Sequence, residues 1–221
     1  MRIALFAAIL IAFCSAESWA DDTDDMRKKA ESDDAAAQFE LAQYYVSEAG
    51  NARSERRELR DLKRAVDWFS RSAEQGLAKA QFKLGHLYLL GQGVDRDMNL
   101  GVDWQVKAAE QGLAEAQFEV GHRYLYGGIL DRDIELALDM FTEAANQRYV
   151  HAQKQLGIFY FEGDVVTTDL VQSHLWFSVA ALNDDRSAQG YLPLLESIMD
   201  EAQIDEARAL AAQWQADHLD E

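Results

Sequence analysis

Cysteine, proline and positive charge are all scarce in this sequence, and it has no apolar run of membrane-spanning length. Its 221 residues contain one cysteine, Cys14, and one proline, Pro193. A single cysteine excludes internal disulfides and thiolate-rich metal sites. The shortage of proline removes the commonest helix breaker, and abundant Ala, Leu, Glu and Gln favour helix. Lys and Arg number 21 against 39 Asp and Glu, a net charge of −18. Such a surface repels phosphate backbones and argues against a nucleic-acid partner. It serves solubility, or a preference for basic partners. Apolar residues at 48 % and charged residues at 27 % describe a globular chain, not a disordered one.

Catalytic signatures are also missing. No Gly-x-Ser-x-Gly, Ser-x-x-Lys, His-Glu-x-x-His or phosphate-loop pattern occurs. Gly91-Gln92-Gly93 and Gly127-Gly128 lack the spacing and the preceding strand of a dinucleotide site. The reading is therefore of a non-enzyme with no cofactor and no metal. One metal alternative is visible: His86 and His122 share a slot in adjacent repeats, with His151, Glu115 and Glu119 nearby in sequence. No recognised ligand spacing accompanies them.

The N-terminus has the form of a secretory leader. Arg2 is followed by an apolar run over 3–13, too short to span a bilayer, and Ser18-Trp19-Ala20 places small residues for cleavage after Ala20. Residues 1–20 are expected to be a signal peptide. Acylation of Cys14 would be the lipoprotein alternative, but Phe13 precedes it where a small residue belongs. The mature chain then has no cysteine and no transmembrane segment. For a bacterial chain the destination is the periplasm or the exterior.

Beyond the leader the sequence repeats. Ala-Gln-Phe recurs at Ala37-Gln38-Phe39, Ala80-Gln81-Phe82 and Ala116-Gln117-Phe118, and Ala152-Gln153 starts a fourth copy. Gln81, Gln117 and Gln153 are 36 residues apart, as are Gly85, Gly121 and Gly157, then Tyr88, Tyr124 and Tyr160, and Asp97, Asp133 and Asp169. Trp68, Trp104 and Trp176 keep that register, with Met140 in the remaining slot. Within one period, Ala78, Phe82, Gly85 and Leu89 form one helical face. Gly91-Gln92-Gly93 then ends the helix and Asp97 is placed to cap the next. Gly85 costs about 1 kcal/mol against alanine in a helix, so its recurrence implies close approach of a small partner such as Gly101 or Ala108. The first copy differs: Phe39, Ala42 and Tyr45 match Phe82, Gly85 and Tyr88 at a spacing of 43, so seven extra residues are expected between its two helices.

These residues resemble the Sel1-like repeat family, relatives of the tetratricopeptide repeats. The family pattern is visible as Ala80, Leu84-Gly85, Tyr88, Gly91-Gln92-Gly93-Val94, Asp97, Trp104 and Ala108-Ala109-Glu110-Gln111-Gly112. Departures are Gly101 for alanine, Met140 for tryptophan, and Asn183 where the fourth repeat should end in glycine. The resemblance implies an all-α fold, a right-handed α-solenoid of stacked helix-turn-helix repeats, and a protein or peptide partner. Some cysteine-rich members have been linked to binding or hydrolysing β-lactams, but their cysteine pairs are missing here. The expected organisation is a capping segment over 21–33, repeats over 34–76 (insertion 47–60), 77–112, 113–148 and 149–183, and a capping hairpin and tail over 184–221. Ile204, Ala207, Leu210, Ala211 and Trp214 give that hairpin an apolar stripe, as a solenoid end requires.

By analogy with related repeats, the first helices line a concave groove. Its expected residues are Phe39, Phe82, His86, Leu89, Phe118, His122, Leu125, Tyr126, His151 and Lys154. Aromatics with His and Lys suit a bound peptide or helix, although phenylalanines at helical spacing also serve as packing between helices. A second candidate surface is the basic insertion with Arg53, Arg56, Arg57 and Arg60. It reads either as a solvated helix extension, with Glu55 and Glu58 pairing locally, or as a docking spot for an acidic partner, anionic lipid or polysaccharide. An adaptor in the envelope and an effector secreted outside the cell are equally compatible with these features.

Overall fold

A 36-residue period with one glycine-rich break per copy accommodates two short helices and little else, and the computed structural model shows that arrangement over residues 24–218. The leader read at 1–20 lies outside these described residues. Among them are eleven helices and no strand. They are α1 (24–31), α2 (Ala35–Gly50), α3 (Glu55–Glu74), α4 (Ala78–Leu90), α5 (Met98–Glu110), α6 (Ala114–Tyr126), α7 (Ile134–Asn146), α8 (Val150–Glu162), α9 (Leu170–Leu182), α10 (Arg186–Ile198) and α11 (Glu201–Asp217). The fold is of the all-α class of helical-hairpin repeats, the α-solenoid class. The chain divides into two compact units, one ending at Trp104 and one beginning at Gln105.

Each hairpin is closed by the same local devices. Gly91, Gly127 and Gly163 take φ of 69°, 75° and 74°, a region open to glycine at low cost, and stop the leading helix. The N–H groups of Asp97, Asp133 and Asp169 then donate to the carbonyls of Tyr88, Tyr124 and Tyr160 at 2.9–3.0 Å. The same aspartates cap the next helix, accepting from the N–H of Leu100, Leu136 and Gln172 at 3.0 Å. The recurring Tyr and Asp are thus the two ends of one turn. Between repeats, Gly76, Gly112, Arg148 and Asp184 all have positive φ. The fourth repeat's substitute for glycine is therefore Asp184, not Asn183. Asn183 has another task, since its amide donates to Gln153 Oε1 at 3.1 Å.

In the first hairpin the extra residues extend the helices, the helix-extension reading of the insertion. α2 has 16 residues and α3 has 20, where α4 and α5 have 13 each. The turn between α2 and α3 shrinks to residues 51–54. The extra residues are helical because their backbone donors find partners one turn back, with Ser54 Oγ capping Arg57 N–H.

Inside the hairpins, the position after the slot held by Trp68, Trp104, Met140 and Trp176 carries the core. Phe69, Phe141 and Phe177 are among the largest fully buried side chains, and Gln105 takes the slot in the second repeat. Gly157 lies under the ring of Phe177, which a Cβ there would meet at 2.9 Å. Gly101 packs against Gly85: a Cβ on Gly101 would stand 2.9 Å from the Gly85 carbonyl oxygen. The small partner inferred for Gly85 is thus Gly101.

The glutamines of the Ala-Gln motif are all buried. Gln38, Gln81 and Gln153 donate through Nε2 to the carbonyls of Ala30, Ala73 and Ala145 at 3.0–3.2 Å, each on the helix just before. Gln38, Gln117 and Gln153 accept through Oε1 from Gln75, Gln147 and Asn183 at 2.8–3.1 Å, each at the end of the following second helix. One amide therefore ties three helices together. In the second unit α11 supplies the closing stripe, with Ala207 and Ala211 buried and Ile204, Leu210 and Trp214 packed at the core. Trp214 meets Trp176 at 6.2 Å and donates to Asn146 Oδ1 at 3.2 Å.

Gln153→Leu keeps the volume and removes both bonds. It is expected to cost about 2 kcal/mol, at about 1 kcal/mol per bond, read as a lower urea midpoint at unchanged slope.

Candidate functional site

The expected groove residues divide between the two units, and burial sorts them. In the first unit, α2 and α4 flank a concavity of about 570 Å³. Gln43, Val46 and Ser47 come from α2, Lys83, His86 and Leu87 from α4, Gln92 from the turn, and Phe69 lies between them. Apolar groups form its interior and amides, a hydroxyl, an ammonium and an imidazole its margin, a composition suited to anchoring an apolar side chain with a polar backbone around it. None of the eight lining residues is acidic, on a chain of net charge −18. Of the expected groove residues, His86 lines this concavity. Phe82 does not present surface: it is 5 % exposed and packs edge-on against His86 at 4.6 Å. Phe39 rests on Phe69 at 5.6 Å, and Leu89 is half-buried.

Most residues of this concavity escaped the sequence reading, but a signal was present. At the spacing of 43, Val46 and Ser47 occupy the positions of Leu89 and Leu90. Val46 and Ser47 line the concavity, whereas in the next repeat Leu89 packs beside Gly101 and Leu90 is 63 % exposed.

In the second unit an aromatic cluster gathers on α6, α7 and α8. Phe118 sits at its centre, with His122 at 4.7 Å, Tyr149 at 5.4 Å, Phe141 at 5.7 Å and His151 at 6.1 Å. Tyr126 stacks on His122 at 5.9 Å and is 73 % exposed. Burial holds the His122 imidazole below its ordinary pKa, against the pull of Glu119 in the other direction. A neutral ring suits this aromatic packing. Burial, with Glu115 and Glu119, raises the Tyr149 phenol. Leu125, expected in the groove, is 4 % exposed and belongs to the core. No group of three or more His, Cys, Asp or Glu among the described residues is arranged to hold a metal ion.

Lys154 also departs from its expected place. Its Nζ lies 3.0 Å from Asp185 Oδ2 and donates to Ser187 Oγ at 3.2 Å. Asp185 is the N-cap of α10 and accepts from Ala188 N–H at 2.9 Å. Burial alone would raise the Asp185 carboxyl, but Ser187, Ala188 and Lys154 together bring it down to about 2. Lys154 thus fastens α8 to the start of α10.

The basic insertion lies on the end of α2, the turn and the first turns of α3. Its organiser is Asp61, absent from the sequence reading although it stands 36 residues before the capping Asp97. With α3 already begun, Asp61 is inside a helix and 2 % exposed. Arg60 grips it with two nitrogens at 3.0 and 3.2 Å, Arg64 reaches it at 3.4 Å, and Arg57 stands 3.7 Å away while binding Glu48 at 2.9 Å. The Arg60 hydrogen bonds lead in holding the Asp61 carboxyl low, against its burial. The local pairing expected of Glu55 and Glu58 is thus performed by Asp61 and Glu48. Arg53 and Arg56 have no ion-pair partner among the described residues.

The depressed Asp185 carboxyl makes a signed prediction. Its folded pKa lies below the unfolded value, so its stabilisation is complete above about pH 4 and lost as pH falls towards 2. Wild type should lose about 2 kcal/mol more than Asp185→Asn over that interval, read as the difference between their urea midpoints at each pH.

Comparison with known proteins agrees with this architecture. The Sel1 repeat profile matches residues 35–77, 78–113, 114–149 and 150–185. The structure of c5321, a protective antigen present in uropathogenic Escherichia coli strains displaying an SLR fold, matches with a TM-score of 0.74 at 31 % identity, covering 89 % of this chain and 41 % of that one. A Sel1 repeat protein from Oxalobacter formigenes matches with a TM-score of 0.69 at 30 % identity, covering 78 % of this chain and 48 % of that one. The chain spans less than half the length of either. No curated protein matches it. With four repeats matched and each built from the same hairpin, the chain belongs to the Sel1 repeat family, whose fold generally mediates protein–protein interaction.

Proposed function

We propose that this chain is an exported adaptor that holds a segment of a partner protein at the α2–α4 concavity of its first unit. The concavity itself carries the reading: an apolar interior of Val46, Phe69 and Leu87, rimmed by Lys83, His86 and amides, without a carboxylate. Buried anchors of this kind dominate interface energy. The secretory leader read at the N-terminus supports export to the periplasm. The Sel1 scaffold is typically non-catalytic, which favours binding over turnover.

The experiment is site-specific photocrosslinking in the native cell, with the probe at position 46 and a control probe at exposed Asp139. A defined adduct from position 46 alone is the expected result. Val46→Asp with Lys83→Glu should weaken capture of that identified partner about tenfold or more while helicity stays at the wild-type level. Adducts from Asp139 alone, or full capture by the double variant, would overturn the site.

A second reading places the chain outside the cell, acting on host factors. It draws on the similarity to c5321, named as a protective antigen. Fractionation separates the two: mature chain in the periplasmic fraction supports the adaptor, and mature chain in the medium supports the effector.

A further inference from the structure

We propose that the outer face of α3 is a docking ridge for the phosphates of an anionic phospholipid surface. This inference is independent of the α2–α4 concavity. Arg56, Leu59, Arg60 and Lys63 are spaced three and four apart and share one face of α3. All three cations are exposed, and Leu59 is 49 % exposed among them. Arg53 stands just ahead of the helix and adds a further exposed cation. Asp67 closes the stripe a turn beyond Lys63 and marks its end.

Three features favour a phosphate-bearing plane. First, arginine predominates, and its planar fork pairs with phosphate oxygens in a way lysine does not. The Arg60 fork is anchored from below by buried Asp61, so part of its ordering is complete before any ligand arrives. Second, Arg56, Leu59, Arg60 and Lys63 all come from the first turns of one helix, a stripe about 10 Å long. A short convex ridge from a single helix can meet a plane, whereas a peptide needs walls on two sides. A half-exposed leucine between arginines suits the boundary of headgroups and acyl chains. Third, the chain carries a net charge of −18. The rest of the protein is repelled by an anionic surface, so this ridge selects one orientation.

The test is co-sedimentation of the full chain with phosphatidylglycerol-containing vesicles and, in parallel, with phosphatidylcholine vesicles. Wild type should partition onto the anionic vesicles only, and rising salt should release it. Arg53→Glu/Arg56→Glu/Lys63→Glu leaves the Asp61 cluster untouched and should reduce partitioning about tenfold or more, at unchanged circular dichroism and urea midpoint. Should that variant lose its fold, Arg53→Gln/Lys63→Gln takes its place and should still reduce binding. Equal binding to both vesicle types, or full binding by a folded variant, overturns the proposal. So does binding to soluble polyglutamate without binding to vesicles, which would assign the ridge to an acidic protein.

Discussion

A buried amide needs partners on both its donor and its acceptor side, and the repeat meets that demand across helices. The glutamine near the start of each first helix gives its N–H to the helix before it or its carbonyl oxygen to the end of the helix after it, and in Gln38 and Gln153 it does both. Leaving such a group unpaired in the interior costs about 1–3 kcal/mol, so sliding one helix against its neighbours is penalised beyond any loss of apolar contact. Hydrophobic packing alone tolerates small displacements; directional bonds to fixed backbone carbonyls do not. Gly157 acts with Gln153, because it lets α8 and α9 lie close, the two helices that the Asn183–Gln153 bond joins.

The first repeat shows what happens when this frame is kept and the turn is changed. Its glutamine, Gln38, and its core phenylalanine, Phe69, stay in place. The turn shortens, α3 starts earlier, and the aspartate that caps a helix elsewhere is enclosed within one. A carboxylate inside a helix cannot accept free N–H groups, since the preceding turn has used them. Asp61 therefore takes arginine partners instead. The concavity beside α4 includes Val46 and Ser47 near the same end of α2. Both candidate surfaces, the concavity and the arginine ridge, thus involve the first repeat, the one that departs from the period.

Several positions were misjudged from sequence for one physical reason. A 3.6-residue period identifies which residues share a face but not which neighbour covers that face. Phe82 and Leu125 have the spacing of groove residues, yet adjoining helices close over them. Lys154 has the look of a free groove cation, yet the start of α10 brings Asp185 to it. The recurring tryptophans mark the register, while the residues that follow that slot, Phe69, Phe141 and Phe177, fill the core. The seven added residues of the first repeat lengthen its two helices, as the helix-extension reading of the insertion has it, but the pairing of their arginines with Asp61 and Glu48 depends on how α3 begins.

The sequence alone determined the helical class, the 36-residue hairpin, the breaks at Gly91, Gly127 and Gly163, and the caps at Asp97, Asp133 and Asp169. These are local matters, decided by glycine's access to positive φ and by a carboxylate's reach to the first free N–H groups. Only the tertiary structure decided that Asp61 gathers three arginines, that the Ala-Gln glutamine bridges helices, and that Val46 and Ser47 line a concavity beside α4. Those outcomes depend on which helices lie side by side and how closely, and distance between helices is written in no single stretch of the chain.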